Sequence, residues 1–187
     1  MIGYAFCGSF CTFDRSIKVM ERLVSSGFDI QPIMSYNAAT TDTRFGEHSA
    51  FIRRITEITS HAPIMTIADA EPLGPSKPLD ALIISPCTGN TLAKLAQGIT
   101  DTPVTMAAKA HMRQSRPLLI SLATNDGMSA NLKNISALLE KKGVFFVPMK
   151  QDDCVKKPHS LVSEFELIPE CLDDALKGKQ RRPLFLT

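Results

Sequence analysis

The sequence predicts an α/β protein of three layers, in which helices cover both faces of a doubly wound parallel sheet. Short apolar segments of strand length alternate along the chain with segments in which apolar residues recur at helical spacing. This alternation is typical of parallel βα units. Glycine or small polar residues stand at most junctions between the two kinds of segment. A length of 187 residues, of which 44% are hydrophobic, is enough for one domain with a buried core.

The first unit begins with an apolar run over residues 2–7, which Gly8 and Ser9 interrupt. A helix is predicted next, because apolar residues recur at helical spacing and Gly27 follows as a C-terminal cap. A glycine and a hydroxyl before a helix can present backbone N–H groups to an anion, although such turns also simply join strands to helices. The full fingerprint G-x-G-x-x-G is absent, which disfavours a dinucleotide site of the usual kind.

A second strand is predicted over residues 29–34, where Pro32 indicates a position near the sheet edge. Ser35 and Asn37 follow its end and should share a rim with Ser9. They could hold a phosphate by neutral hydrogen bonds, or they could only cap the next helix.

The segment that follows contains one clear helix, over residues 50–58, with apolar residues on one side and charged residues on the other. His48 and His61 flank it, and neither has an acid or a nucleophile at a spacing that indicates catalysis. Residues 64–67 predict a short strand. Residues 69–78 are rich in proline and glycine and predict a loop without regular structure.

The central unit offers the best candidate site. An apolar strand over residues 81–84 leads through a turn at residues 85–90 into an amphipathic helix. Ligands of open α/β sheets bind in the crevice outside the carboxyl ends of the strands. The turn supplies backbone N–H groups, the amide of Asn90 and the hydroxyls of Thr88 and Thr91. This set suits a neutral, flat, hydrogen-bonding ligand better than a metal or a nucleophilic reaction.

Four more elements continue the βα alternation. Residues 104–112 predict a helix with small residues suited to close packing, and residues 117–122 predict a buried strand. A further helix ends at Gly143, and residues 144–147 predict a strand.

The pattern weakens beyond Met149, so we place one α/β domain at residues 1–150 and a C-terminal extension at residues 151–187. The extension should pack on the same domain or on a partner. It contains a polar loop over residues 150–160 and a short helix over residues 172–176. The tail from Lys177 should be mobile or dock on a partner.

Composition excludes several classes of function. The net charge is +2 with scattered charges, so nothing favours nucleic-acid binding. No apolar stretch approaches the roughly 20 residues that a membrane-spanning helix needs. The five cysteines never have C-x-x-C spacing and no signal peptide precedes them. This indicates reduced thiols in the cytoplasm, and it disfavours zinc, including a site at Cys7 and Cys11.

Three stretches in order resemble a known family. Gly8–Ser9 resembles its N-terminal GS turn, residues 86–101 resemble its P-A-S/T-A-N-T…A-K-x-A-x-G-I-x-D signature, and residues 125–128 resemble its N-x-x-M motif. The family is the flavin-binding group that includes the cysteine decarboxylases of peptide and coenzyme A biosynthesis and the flavin prenyltransferases. The resemblance covers about residues 1–150. It implies a Rossmann-like flavoprotein fold, FMN as cofactor, and assembly as a trimer or dodecamer.

The resemblance also implies which residues contact FMN. For the phosphate and ribityl end they are Gly8, Ser9, Ser35 and Asn37. For the isoalloxazine side and the surrounding pocket they are Pro86, Cys87, Thr88, Asn90, Thr105 and Met128. Cys87 replaces a small alanine of the signature, and it could either tune the flavin or be a buried filler.

Departures from the family pattern point to a subgroup. Pro72 stands where the decarboxylating members carry a catalytic histidine, and Ser129 replaces an aromatic residue. Residues 71–96 and 122–135 are most similar to the B subunits of dipicolinate synthase from spore-forming bacteria. This similarity implies a role in oxidising a small dihydrodipicolinate-level substrate to pyridine-2,6-dicarboxylate during sporulation. It also implies a partner, the dipicolinate synthase A subunit, which would carry NAD(P).

Alternatives remain open at this point. They are an FMN-dependent cysteine decarboxylase, a non-catalytic scaffold for the A subunit, and a flavin prenyltransferase. No catalytic residue is assigned. Arg44, Arg53 and Lys77 are candidate ligands of the substrate carboxylates, although a solvated surface explains them equally well.

Overall fold

The computed structural model describes residues 1–74, 76 and 79–187. Lys77, one of the candidate carboxylate ligands, lies outside the described residues. The strands are β1 (Ile2–Phe6), β2 (Ile30–Met34), β3 (Ala81–Cys87), β4 (Leu118–Thr124), β5 (Val144–Phe146), β6 (Met149–Lys150) and β7 (Leu161–Ser163). The α-helices are α1 (Phe13–Ser25), α2 (Tyr36–Thr40), α3 (His48–Thr59), α4 (Ile67–Ala70), α5 (Gly89–Gln97), α6 (Pro103–Met112), α7 (Leu132–Leu139) and α8 (Ile168–Leu176).

Five strands form a parallel sheet in the order β2-β1-β3-β4-β5. The far edge of β4 is shared between two neighbours. Its first half pairs with β5, and Ala123 and Thr124 at its end pair with β7 in antiparallel orientation. β6 then pairs with β7. The predicted α/β fold is confirmed, and the antiparallel β6–β7 pair makes the sheet mixed.

Alternate strand residues supply two separate cores, which gives the fold its three layers. Tyr4 and Phe6 of β1 pack with Ile17 of α1 in one core. Ala5 of β1 packs with Leu92 of α5 in the other. Because β1 and β3 are buried along their whole length, both faces of these strands are covered, as is typical of parallel sheets.

Two predictions for the segment before β3 are wrong. Residues 64–67 do not form a strand: Ile64 makes one isolated bridge to Ile33, and α4 begins at Ile67. The hydroxyl of Thr66 caps α4 by accepting a hydrogen bond from the Asp69 N–H at 3.1 Å, which favours the helix. Residues 69–78 are also not wholly irregular, because α4 continues to Ala70 and a 3-10 turn spans Glu71–Leu73.

The tail after α8 packs against its own domain. The side-chain amide of Gln180 binds the free edge of β5 twice: its oxygen accepts from the Phe146 N–H at 2.8 Å, and its nitrogen donates to the Phe146 carbonyl at 2.7 Å. Leu186 then donates to the Met149 carbonyl at 2.8 Å, which extends the sheet beyond β6. A helix able to cross a membrane is not found in the part of the chain that the structure describes.

Candidate functional site

A groove runs along the carboxyl ends of β1, β2, β3 and β4. β2 and β3 lie on opposite sides of β1 in the strand order, so the direction of the strand order reverses at β1. The groove begins at this topological switch point, where such sheets bind ligands. It consists of two adjoining cavities of about 410 and 500 Å³, with Gly8 and Thr88 in the lining of both. We call it the strand-end groove. Its lining is Gly8–Cys11, Ser35–Asn37, Thr43–Phe45, Thr88–Thr91, Lys94, Asp101, Thr102 and Ala123–Asn125.

The loop after β1 leaves the backbone open to the groove at Gly8. A methyl group at this position would lie 3.5 Å from the Cβ of Asn37 and from the ring of Phe10, which is ordinary contact. The protein therefore tolerates a side chain here sterically, whereas a ligand in the groove would meet it. Ser9 follows and accepts a hydrogen bond from the Thr12 hydroxyl through its backbone carbonyl at 2.8 Å.

The loop after β2 contributes Ser35 and Asn37 to the same groove. The Ser35 oxygen caps α2 by accepting a hydrogen bond from the Ala38 N–H at 3.3 Å. The prediction that Ser35 caps the helix after β2 is therefore correct. The capping bond leaves the Ser35 hydroxyl hydrogen available to donate. Asn37 is exposed, and its amide makes no hydrogen bond to any described residue.

The loop after β3 contributes Thr88 and Asn90. Thr88 caps α5, since its hydroxyl oxygen accepts from the Thr91 N–H at 3.3 Å. The Cα of Gly89 packs closely against the loop after β4. A methyl group at Gly89 would come within 2.5 Å of Asn131 and 2.7 Å of Asp126, so this turn requires glycine.

Three predicted cofactor residues lie beneath the groove and are absent from its lining. Pro86 and Cys87 are buried within β3. Thr105 is buried in α6, where it forms a capping box with Thr102, which does line the groove. These residues support the site from below and are not placed to touch a ligand in the groove.

The Cys87 thiol is fully buried beside Cys7. Burial raises the pKa of Cys7 to about 11. Burial, with the nearby Cys7, raises the pKa of Cys87 well above its ordinary value. Both groups are therefore protonated and unreactive at neutral pH, which favours the interpretation of Cys87 as a buried filler.

Met128 is placed away from the strand-end groove. It is 44% exposed and lines an apolar cleft of about 740 Å³ together with Leu132, Met149 and Phe185. Within one chain it is therefore not positioned to pack on a ligand lying across the strand ends.

The groove contains three charged residues, of which the sequence analysis identified only one as a candidate ligand. Arg44 lines it, with its guanidinium 4.9 Å from the ring centroid of Phe45, whereas Arg53 is exposed and absent from the lining. Lys94 and Asp101 line it as an ion pair of 2.8 Å, and this partner lowers the pKa of Asp101. Both residues lie in the signature stretch of residues 86–101, so that motif could have indicated their place in the site.

No histidine lines the groove among the described residues. The rings of His48 and His61 bind Asp42 and Asp29. His111 is buried and donates from Nε2 to the Pro117 carbonyl at 2.9 Å. Within the same part of the chain, no group of three or more histidine, cysteine or acidic residues could hold a metal ion.

A third cavity, of about 340 Å³, continues the groove beyond β4. Ser9, Thr124 and Asn125 line both spaces. Arg15 of α1 and Lys157, from the segment between β6 and β7, line this cavity alone. We call it the Arg15 cleft. Nothing in the sequence indicates a site at Arg15, because Asn125 and Lys157, which line the same cleft, are distant from it along the chain.

Comparisons with known proteins agree with this architecture. The family description "Flavoprotein" matches residues 1–176. The B subunit of dipicolinate synthase from Bacillus subtilis (strain 168) is 40% identical over 185 residues, which cover 99% of this chain and 92% of that protein. The crystal structure of the B subunit of dipicolinate synthase from Bacillus halodurans C has a TM-score of 0.92 and 40% identity, and the match covers 100% of this chain and 95% of that one.

A more distant solved structure shares the fold. The FMN-dependent cysteine decarboxylase SpaF has a TM-score of 0.69 at 24% identity, with 94% of each chain covered. Together these matches confirm the resemblance inferred from the sequence motifs. The chain belongs to the flavoprotein family.

Proposed function

We propose that this chain binds FMN in the strand-end groove and acts as the B subunit of a dipicolinate synthase. The main support is the groove itself: it lies at the switch point of the sheet, it is open at Gly8, and its lining is rich in hydroxyl and amide groups. The 40% identity to the dipicolinate synthase B subunit of Bacillus subtilis, over nearly the whole chain, supports the choice of subgroup.

The residues of the groove fit FMN in two parts. At one end the open backbone at Gly8, the hydroxyls of Ser9 and Ser35 and the Asn37 amide would donate to the phosphate and ribityl chain. Neutral donors of this kind satisfy a phosphate without a metal.

At the other end Thr88 and Asn90 would hold the ring edge. Pro86, Cys87 and Thr105 would support that loop from beneath. When bound, FMN would supply the capacity to accept electrons from a reduced substrate. The chain would orient the ring and limit its contact with water.

The proposal includes a partner. The A subunit of dipicolinate synthase would carry NAD(P), and the two subunits together would oxidise the dihydrodipicolinate-level substrate to pyridine-2,6-dicarboxylate in sporulation. The relative's name, which marks it as one of several kinds of subunit, supports a second component. We further propose that this chain assembles as a trimer or a dodecamer, with the flavin near an interface between copies.

A second candidate is a non-catalytic scaffold that stabilises the A subunit. One observation favours it: within the described residues, the groove carries no histidine that could act as a general base. The same observation weighs against a cysteine decarboxylase. A flavin prenyltransferase has no comparable support from the geometry.

Visible absorption of the purified chain, with and without added FMN, tests the proposal. We expect a yellow protein or saturable FMN binding, weakened about tenfold by Asn90→Ala or Thr88→Ala through the loss of one hydrogen bond each. Gln97→Ala, which removes an exposed amide of α5 outside the groove, serves as a control. A colourless protein that binds no FMN yet co-purifies with the A subunit would refute the proposal and support the scaffold. Release of carbon dioxide from a cysteine-terminated substrate would favour the decarboxylase instead.

A further inference from the structure

The Arg15 cleft adjoins the strand-end groove and has charged residues of its own. The groove contains hydroxyls, amides, Arg44 and the internal Lys94–Asp101 pair. The cleft brings together two cations, Arg15 and Lys157, from different elements of the chain. Because Ser9, Thr124 and Asn125 line both spaces, a ligand in the cleft would lie directly against a ligand in the groove.

The guanidinium of Arg15 is held in place on one side. Its Nη2 donates to Glu164 at 2.8 Å and to Glu166 at 2.7 Å, and its carbon lies 5.0 Å from the centroid of the Phe165 ring. These contacts fix the plane of the group. No described residue accepts a hydrogen bond from Nη1, so one edge of the guanidinium remains available to a ligand.

The acidic partners of Arg15 do not make the cleft repel anions. Glu164 also binds Lys150 at 2.6 Å, so Arg15 and Lys150 together offset Glu164 and Glu166. The remaining pair in the lining, Lys157 with Asp152, is internally balanced and exposed. Exposed ion pairs contribute little stability, so a ligand carboxylate could replace Asp152 on Lys157 at low cost.

Neutral donors complete the cleft. The Asn125 amide is exposed and makes no hydrogen bond to any described residue. Ser9 places its hydroxyl at the junction with the groove. Two cations from separate parts of the chain, with an amide in the same lining, suit a rigid ligand that has an anionic group at each end.

We propose that the Arg15 cleft binds a small, planar dicarboxylate of the pyridine-2,6-dicarboxylate class, with one carboxylate on Arg15 and the other on Lys157. This inference rests on the proposed function and identifies the substrate subsite beside the flavin. The ring would then lie over Asn125 and face the strand-end groove. A monocarboxylate of the same size would use only one of the two cations.

Titration calorimetry with pyridine-2,6-dicarboxylate, on both FMN-loaded and flavin-free chain, tests the inference. We expect saturable binding that Arg15→Gln and Lys157→Gln each weaken about tenfold or more, because each removes a charge-assisted hydrogen bond. Pyridine-2-carboxylate should bind less tightly, and one of the two substitutions should leave its affinity unchanged.

Two matched controls separate the cleft from its surroundings. Lys18→Gln removes an exposed cation of α1, the helix that carries Arg15, outside the cleft, and Lys156→Gln removes the exposed neighbour of Lys157. Both should bind the dicarboxylate like wild type. If Arg15→Gln fails to fold, the exposed Lys157→Gln variant still decides the question.

Unchanged affinity in the Arg15 and Lys157 variants would overturn the inference, and so would an equal loss in Lys18→Gln. Failure of FMN binding, read independently from absorption, would refute the proposed function. The titration of the flavin-free chain would still report on the cleft in that case.

Discussion

Replacing Gly89 by alanine should destabilise the fold. The added methyl group would lie 2.5 Å from Asn131 Nδ2, 2.6 Å from Thr124 Oγ1 and 2.7 Å from Asp126 Oδ1. These atoms cannot retreat freely, because Asn131 donates to Asp126 at 2.9 Å and Thr124 also donates to Asp126. Overpacking of this kind costs about 1–3 kcal/mol, and each displaced hydrogen bond adds about 1 kcal/mol. The better helix propensity of alanine returns at most about 1 kcal/mol.

The expected net loss is therefore about 2 kcal/mol of unfolding free energy. For a domain of this size it corresponds to a fall of about 4–8 °C in Tm. Urea denaturation followed by circular dichroism measures it. Gly8→Ala is the matched control, because its methyl group meets only ordinary contacts at 3.5 Å. That variant should stay within about 0.5 kcal/mol of wild type while binding FMN less tightly. Equal stability of Gly89→Ala and wild type would refute the packing described here for α5.

Three other predictions concern the tail and the buried thiols. Gln180→Ala should cost about 1–2 kcal/mol by removing both hydrogen bonds to Phe146, and hydrogen exchange at the Phe146 amide should accelerate; unchanged exchange would contradict the role of Gln180. Cys87→Ala should alter FMN affinity less than twofold, because the thiol is absent from the groove lining; a tenfold change would restore a direct role. The pKa of Cys7 is raised by burial from 9.0 to about 11, so the folded state keeps a proton that the unfolded chain loses; stability should fall as pH rises from about 9 through about 11. A Cys7→Ala variant should lose part of that alkaline dependence, and an identical pH profile would argue against it.

Sequence reasoning succeeded where a single residue pattern determines local structure. The strands β1, β3 and β4 were recognisable because both of their faces are buried, which demands continuous apolar runs. The turns at Gly8 and Thr88 were recognisable because small and hydroxyl residues interrupt those runs. Since parallel strands end at the same edge of a sheet, the position of both turns at one edge could be predicted from the sequence.

The features that sequence patterns do not indicate have a common physical cause. β6 and β7 are two and three residues long, too short for periodicity to register, and their pairing with β4 depends on tertiary contacts. The Arg15 cleft was not predictable for the same reason, since Arg15 and Lys157 are brought together only by the fold. Cys87 and Thr105 belong to the right segment, but their sequence positions could not indicate that they lie one layer below the groove.

The polar and charged groups of the strand-end groove and the Arg15 cleft are suited to binding ligands and not to proton transfer. The strand-end groove is lined mainly by backbone, hydroxyl and amide groups, and its Lys94–Asp101 pair is internally satisfied. Among the described residues it holds neither a histidine nor an unpaired carboxylate, so it is better suited to orienting a cofactor than to removing a proton from a substrate. The cations of the Arg15 cleft can hold an anion but are equally poor bases. If oxidation takes place here, the proton that leaves with the hydride therefore passes to water or to a group outside the groove.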